Sequence, residues 1–282
     1  MSSSHKIKSI IPATLLAATI IAPGTAGAAD LLMDPPVIEA PEVITKAAGG
    51  WYLRGDITYD FHSTDNPMYS TSGTEVTFTS ASVEDSFDLG LGIGYQVHEN
   101  FRVDLTGDYV FESGFRGSTA GFCDAAAIAA GELNCVSTDS SSFTAFKLLA
   151  NAYVDFGNFS GFTPYLGAGI GGAHVSWDSL TNTATCTQIT VACPTTGGYT
   201  GAAASSTGTF THAGVDSWRF AWALHAGFSY DVTHNTKIDL GYTYSRIEGG
   251  DMFQWLDGSG TQGYDKGIDS HVFRAGIRYQ IW

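Results

Sequence analysis

The sequence is poor in charge for its length, and its basic residues are few. Only 15% of the 282 residues are charged, with 13 Lys and Arg against 28 Asp and Glu. This negative balance disfavours binding to nucleic acid, whose phosphates need basic partners. Long apolar runs are missing after the N-terminus, so nothing there predicts a membrane-spanning helix. What is abundant is glycine, at 34 positions, and aromatic residues, at 13%, and together they favour a β-rich fold.

The N-terminus has the pattern of a secretory signal peptide over residues 1–28. Lys6 and Lys8 supply positive charge, an apolar stretch too short to cross a membrane follows from Ile10 to Ile21, and Ala26-Gly27-Ala28 forms an A-x-A cleavage site. Cleavage there leaves 28 acidic residues against 11 basic ones, a net charge of −17. The next segment, 29–49, contains three prolines and predicts an extended periplasmic spacer before a folded domain at 50–282.

Apolar and polar residues alternate in the folded domain, which is the period-2 pattern of strands with two different faces. The first segment, Trp51 to His62, has an apolar face and a face that carries Arg54 and Asp56. The predicted strands are 51–62, 84–97, 101–111, 143–156, 163–177, 217–232, 236–247 and 268–282. Alternation alone also fits a soluble β-sandwich, which would bury the apolar face against a second sheet.

The lengths of the connections favour a membrane barrel over a sandwich. Short connections (98–100, 157–162, 233–235) alternate with long ones (63–83, 112–142, 178–216, 248–267). Outer-membrane barrels have short periplasmic turns and long extracellular loops. The sequence therefore predicts an all-β fold, an eight-stranded antiparallel up-and-down transmembrane β-barrel in the outer membrane of a Gram-negative bacterium. Its long loops are expected outside the cell, and its N-terminus and short turns in the periplasm.

Aromatic residues concentrate near both ends of the predicted strands, as in the girdles that flank the lipid-facing band of such barrels. The residues assigned to the short-turn girdle are Tyr95, Phe101, Phe156, Tyr165, Tyr230 and Tyr279. Those assigned to the long-loop girdle are Phe61, Tyr109, Phe111, Phe146, Trp177, Trp218, Trp222, Tyr244 and Phe273.

Charged residues fall on the polar face of the strands, with seven bases against eight acids. They are Arg54, Asp56, Asp60, Asp88, Arg102, Asp104, Asp108, Lys147, Asp155, Arg219, Asp231, Lys237, Asp239, Arg274 and Arg278. Closing the sheet would place this face in the lumen, where unpaired charges are costly and near-balanced ones can form salt bridges. An eight-stranded barrel is about narrow enough for side chains to fill, so we expect a plugged lumen. Inward glycines (Gly90, Gly92, Gly94, Gly167, Gly169, Gly171) would make room for the long arginine side chains.

Three segments carry a family resemblance: Gly50 to Ile57 (GWYLRGDI), Asn151 to Phe156 (NAYVDF) and Thr163 to Gly171 (TPYLGAGIG). With the signal peptide and proline-containing lead, they resemble alphaproteobacterial members of the opacity-porin-like outer-membrane β-barrel family, which includes major surface antigens. The C-terminus is similar to the signal that the barrel-assembly machinery recognises in a last strand, and the residues matching it are Arg274, Gly276, Tyr279 and Ile281. It departs from that pattern because Ile281 replaces an aromatic residue and Trp282 extends beyond it.

The four cysteines lie in pairs within two of the long connections. Because the chain is exported, disulfides are expected, and the short spacings favour Cys123 with Cys135 and Cys186 with Cys193. Bridges between the two loops remain the alternative.

Candidates for chemistry are sparse in this sequence. His225 and Ser229 share an inward face, but their spacing along one strand, about 13 Å, is too long for a nucleophile and its base. The segment 178–216, rich in Thr, Ser, Ala and Gly, predicts a mobile loop whose His212 could ligate haem, although a solvated histidine is the simpler interpretation.

The resulting expectation is a non-enzymatic protein with no cofactor or metal, contributing to envelope integrity as a surface antigen. Its expected partners are outer-membrane lipid and lipopolysaccharide, the barrel-assembly machinery, and host or phage molecules that contact the loops 63–83, 112–142, 178–216 and 248–267. The alternatives are a small-solute porin, a haem-binding surface protein and a lipid-modifying enzyme.

Overall fold

The computed structural model describes residues 49–71, 74–119 and 130–281, and its regular elements there are strands. They are β1 (Gly50–Thr64), β2 (Met68–Thr71), β3 (Thr74–Thr77), β4 (Ser80–Val83), β5 (Ser86–His98), β6 (Phe101–Ser118), β7 (Leu133–Asp155), β8 (Phe162–Trp177), β9 (Leu180–Gln188), β10 (Tyr199–Ala202), β11 (Ser205–His212), β12 (Asp216–Asp231), β13 (Thr236–Gln254) and β14 (Thr261–Gln280). None of the described segments is a helix long and apolar enough to cross a membrane. The predicted signal peptide, the spacer up to residue 48, Cys123 and Trp282 lie outside the described residues.

Eight long strands pair antiparallel in a closed cycle. The order is β1, β5, β6, β7, β8, β12, β13 and β14, and β14 pairs with β1 from Tyr52 opposite Gln280 to Thr64 opposite Ile268. Each predicted segment overlaps one of these strands, because the contrast between apolar and polar residues was strong in all of them. The predicted all-β, antiparallel architecture is confirmed.

Tight turns connect the strands at one end of this cycle. Between β7 and β8, Gly157 and Gly161 have φ values of +93° and +94°, which favour glycine because it lacks a Cβ. The side-chain oxygen of Asn158 accepts a hydrogen bond from the backbone N–H of Gly161 at 2.8 Å and closes the turn. The other two short connections follow β5 and β12.

At the opposite end, the prediction of long loops was wrong for much of their length. The predicted loop 178–216 contains β9, β10 and β11, and β6 and β7 extend well into 112–142. β2, β3 and β4 lie within 63–83, and β13 and β14 extend into 248–267. Alternation continues in these extensions, but Ser and Thr occupy many positions on both faces. The apolar contrast on which the prediction depended is therefore absent.

Outward-facing residues of the eight-strand cycle are mostly apolar and exposed. Leu91 is 74% exposed, Trp218 65% and Ile57 61%. Two residues assigned to the aromatic girdles face inward instead: Tyr165 is 3% exposed and Trp177 4%. Both are an even number of residues from the inward Gly167, so the period of the strand places them on the inner face.

The wall extension, defined as β9, β10, β11 and the Leu133–Ser140 part of β7, continues this wall beyond β8 and β12. β9 pairs with β7 and β11, and β10 pairs with β11. A disulfide between Cys186 and Cys193 confirms one predicted bridge and excludes the loop-to-loop alternative for these two residues. Cys135 is also disulfide-bonded. Its predicted pairing stays a prediction because Cys123 lies outside the described residues.

Asp139 is a fully buried carboxyl group on the inner side of the wall extension. It accepts hydrogen bonds from the side chains of Ser137, at 3.2 Å, and Asn182. It takes part in no salt bridge within the part of the chain that the structure describes. Burial raises its pKa above the ordinary value, although its hydrogen bonds with Asn182, Ser137 and Thr119 act in the opposite direction. Among the described residues, the side-chain carbonyl oxygen of Asn182 is buried and has no hydrogen-bond partner.

This burial makes the wall extension dependent on pH. Because the folded-state pKa of Asp139 is raised, its contribution to stability is full below the unfolded value of about 3.9 and is lost as the pH rises through the folded value. We expect local opening of 133–140 and 180–188 to become easier from pH 4 toward neutral pH. Asp139→Asn should remove this trend, because an amide stays neutral.

Hydrogen exchange, corrected for intrinsic rates, measures the free energy of this opening. Asp257→Asn, at an exposed position, is the matched control and should keep the wild-type trend. An unchanged pH trend in Asp139→Asn would contradict the assignment.

Candidate functional site

The interior of the eight-strand cycle is the candidate site, and glycines shape its wall. A Cβ added at Gly92 would lie 2.9 Å from Cγ of Arg54, and one added at Gly94 would overlap the Tyr52 ring. Because Gly92 and Gly94 of β5 have no side chains, the inner face has room for the long side chains of Arg54 and Tyr52 on the neighbouring strand β1. Room for an arginine, the expected role of the inward glycines, is found at Gly92 only. The expectation was wrong for the others, whose nearest neighbours are Asp108 at Gly90, Tyr52 at Gly94, Tyr153 at Gly167, Asn151 at Gly169 and the backbone of Leu148 at Gly171.

The layer nearest the short turns combines ion pairs with aromatic rings. Arg102 contacts Asp155 at 3.1 Å, and its guanidinium carbon lies 4.1 Å from the ring centre of Tyr153 and 4.7 Å from that of Tyr165. Aromatic faces stabilise a desolvated cation, so the two inward tyrosines support the buried arginine. In the same layer, Arg278 pairs with Asp239 at 3.1 Å and Lys237 pairs with Asp231.

The next layer is centred on Arg54. Its guanidinium contacts Asp56 at 2.8 Å, along the same strand, and Asp104 at 2.9 Å, on β6. Tyr153 accepts a further hydrogen bond from Arg54 at 3.1 Å, and Tyr52 donates to Asp104 at 3.0 Å. This buried cation therefore has two carboxylate partners, as a buried charge requires.

His225 is held in one tautomer by its neighbours. Its Nδ1 lies 3.0 Å from the Arg274 guanidinium, which can only donate, so Nδ1 is the acceptor. The proton then sits on Nε2, which donates to the Asn151 side-chain oxygen at 3.1 Å. Asn151 in turn donates to Asp104 at 2.8 Å. His225 is thus a neutral link between the layers.

A third layer is centred on Lys147 of β7. Its ammonium group lies 2.9 Å from Asp88 and 3.4 Å from Asp60, and all three residues are buried. A cavity of about 30 Å³ beside Lys147 is also lined by Asp88, Asp108, His225 and Arg274. That volume holds little more than one water molecule, so side chains fill this level of the interior.

Above Lys147 the interior becomes apolar. Phe143 packs on Trp177 with ring centres 4.9 Å apart, Trp177 meets Phe115 at 5.7 Å, and Val175 belongs to the same buried cluster. The sequence prediction missed this cluster, because it treated Phe143 as the start of a strand and Trp177 as outward. Beyond the cluster, Arg219 pairs with Asp265 at 2.6 Å.

Asp265, the buried partner of Arg219, lies in the segment 248–267 that the sequence predicted to be a loop. Inward residues of β14 are even-numbered from Ile268 onward, whereas Asp265 is odd and yet buried. The alternation of inward and outward residues shifts by one position at Gly267, whose φ is +133°. Counting the alternation back from Ile268 would have assigned Asp265 to the outside, and only its pairing with Arg219 reveals its role.

The predicted lumen residues all lie on the inner side, most of them buried, while Asp108, Asp231 and Lys237 are half-buried. Arg274 and Asp108 form no ion pair within the described ranges. Arg274 instead donates to His225 and Thr243, each at 3.0 Å. Of the predicted assembly signal, Arg274 and Gly276 face inward, and Tyr279 and Ile281 are exposed.

The candidate catalytic and haem residues have other partners. Ser229 donates to Asp239 and accepts from Arg278 at 2.7 Å, so it does not face His225. His212 is 1% exposed and bonded to the Gln254 carbonyl at 3.1 Å, so the expectation of a solvated loop histidine was wrong. The part of the chain described contains no group of three or more His, Cys, Asp or Glu residues placed to hold a metal ion.

Three relatives from other bacteria match this chain over most of its length. Uncharacterized proteins of Brucella suis biovar 1 (strain 1330) and Brucella abortus (strain 2308) are each 34% identical, and each match covers 95% of this chain and 97% of the relative. A protein of Rickettsia bellii (strain RML369-C), named a putative adhesin, is 26% identical over 82% of this chain and 88% of its own.

Among solved structures, Neisserial surface protein A is 17% identical with a TM-score of 0.44, covering 82% of this chain and 97% of its own. The outer membrane protein OprG of Pseudomonas aeruginosa is 16% identical with a TM-score of 0.43, covering 83% and 96%. The family described as "Outer membrane protein beta-barrel domain" matches residues 16–280. The chain therefore belongs to this family of outer-membrane β-barrel proteins.

Proposed function

We propose that the chain is an eight-stranded transmembrane barrel whose filled interior does not conduct and whose wall extension presents a surface outside the cell. Its role is structural and surface-antigenic, without enzymatic activity. The observation that carries this proposal is the contrast between the two sides of one wall. Exposed apolar residues cover the outside, and ion pairs and an apolar cluster fill the inside. Only a lipid environment stabilises such an outside.

The putative-adhesin name of the Rickettsia bellii relative favours a surface role over a transport role. A rigid surface on paired strands binds a partner with little loss of conformational entropy, which suits adhesion.

A small-solute pore is the second candidate. It is supported by a cavity of about 340 Å³ at the short-turn end, lined by Gln96, Asp155, Lys237, Arg278 and Gln280 among others. The apolar cluster above Lys147 argues against a continuous aqueous path.

The Lys147 layer should make a large contribution to barrel stability. Lys147→Met removes the cation between Asp60 and Asp88 and leaves two buried carboxylates without a positive partner, which should cost about 3–5 kcal/mol of unfolding free energy. Urea unfolding in lipid vesicles, followed by tryptophan fluorescence, measures this loss. Lys266→Met, at an exposed position, is the control and should change the free energy by less than about 0.5 kcal/mol. Equal stability of the two variants would refute a buried ion-pair layer.

Antibody labelling of intact cells measures which end of the barrel lies outside the cell. An epitope inserted after Gly258, between β13 and β14, should be labelled on intact cells, because the proposal places this end outside. The same epitope after His234, in a short turn, should be labelled only after the outer membrane is permeabilised. The reverse pattern would invert the proposed topology, and labelling of neither site before permeabilisation would place the chain elsewhere.

The filled interior predicts no stable ion current in planar bilayers. Phe143→Ala combined with Trp177→Ala removes two adjoining rings of the apolar cluster, and this variant should show small current steps. The control variant carries Phe146→Ala and Trp218→Ala, two outward rings, and should remain silent. Heat-modifiable gel mobility verifies that each variant is folded. Regular steps from the wild-type protein would favour the pore instead.

A further inference from the structure

The outer face of β7 changes character sharply along its length. Its outward positions are apolar from Val154 up to Phe146, and from Thr144 upward they are mostly Ser and Thr. Beyond that point the face widens across β9 and β11. We name the following outward residues the hydroxyl face: Thr138, Ser140, Thr181, Thr183, Thr185, Thr187, Ser205, Thr207, Thr209 and Thr211.

The hydroxyl face is a regular array. Thr183 of β9 lies opposite Thr138 of β7 and Thr209 of β11, so one row crosses three strands. The Thr183 and Thr209 hydroxyls are 3.3 Å apart, and those of Thr185 and Thr207 are 3.4 Å apart. Rows repeat about every 6.7 Å along a strand and about every 4.8 Å between strands. Because β-branched side chains are stiff at χ1, hydroxyl and methyl groups are held in fixed positions.

Strand propensity alone would explain single threonines on a solvated face. It does not explain why this face carries no charge in a chain with a net charge of −15. Exposed strands near a free sheet edge usually carry charged residues that prevent unwanted pairing. Charged groups stand only at the border of this face. Arg116 of β6 lies opposite Ser140 and is paired with Glu84 at 2.9 Å, and Asp178 accepts a hydrogen bond from Ser142 at 2.8 Å.

The position of the hydroxyl face indicates which part of the membrane surrounds it. The face begins where the apolar band ends, on the same wall. Phe146 follows Ser140 on β7 toward the short turns, and Trp218 of β12 follows Thr211 of β11 in the same direction. A wall surrounded by acyl chains at one level is surrounded at the next level by the head groups of the same lipids. On the outer side of an outer membrane, those head groups are saccharides.

We propose that the hydroxyl face contacts neutral sugars of the outer-leaflet glycolipid in the protein's own membrane. This inference rests on the barrel and the orientation proposed above. Threonine hydroxyls exchange hydrogen bonds with sugar hydroxyls, and the methyl groups pack on the C–H faces of the rings. The phosphate-bearing part of the glycolipid is not the target, because the face has no basic residue to bind it.

The test compares full-length chains refolded in three kinds of vesicle: phospholipid alone, truncated glycolipid without outer sugars, and complete glycolipid. The test variant carries Thr→Val at Thr183, Thr185, Thr207 and Thr209, which keeps the side-chain shape and removes the hydroxyls. The control carries Thr→Ser at the same four positions and keeps the hydroxyls. The readouts are the temperature at which the compact gel band is lost and the affinity for polysaccharide released from the complete glycolipid.

Complete glycolipid should raise this temperature for the wild type and the Ser control above its value in truncated glycolipid, and should not do so for the Val variant. The affinity of the Val variant for free polysaccharide should fall at least about tenfold, equivalent to roughly 1.4 kcal/mol. Equal affinities of the Val variant and the wild type would overturn the proposal. So would cross-linking of two copies that the Val substitutions abolish, because a second copy would then occupy the face.

Failure of the proposed function has a different signature. A wild-type chain that forms no compact band in any vesicle, phospholipid included, is not a membrane barrel. A chain that forms this band in all three vesicles but does not distinguish complete from truncated glycolipid is a barrel whose hydroxyl face has no sugar partner.

Discussion

The pairing of β1 with β14 joins the two ends of the sheet, and the remaining features depend on this closure. A closed cycle leaves no unpaired row of backbone N–H and C=O groups along its strands, which is the condition for placing a sheet in an apolar medium. Closure also separates two environments. The outer residues need contact only one another and their surroundings, while the inner residues of strands far apart in sequence are forced together.

Charge balance inside the cycle is the second consequence of closure. Lys147 meets Asp60 and Asp88, which precede it by 87 and 59 residues. A buried cation without such partners would destabilise the fold by several kcal/mol. The acidic and basic residues on the inner faces of different strands must therefore lie at the same level. The apolar cluster around Phe143 and Trp177 then seals the level above the ion pairs. The interior is thus filled by ion pairs at the level of Lys147 and by aromatic and aliphatic side chains at the level above it.

The sequence was sufficient to predict the strand class and the side on which the lumen charges lie, because period-2 alternation depends only on neighbouring residues. It could not predict partners such as Arg219 and Asp265, which are set by register and by the irregularity at Gly267. It also missed the wall extension, where Thr and Ser replaced the apolar residues that make a strand visible. Tyr165 and Trp177 were assigned outward from residue type, although their spacing from Gly167 already indicated the inner face.

The disulfide between Cys186 and Cys193 has a consequence for biogenesis. Disulfides of exported proteins form in the oxidising periplasm, before a barrel is inserted. If β9 lies outside the cell, as proposed, this covalent loop must traverse the outer membrane already closed. Its passage then requires a transient gap in the assembling wall wide enough for the cross-linked loop between Cys186 and Cys193, and not only for two extended chain segments.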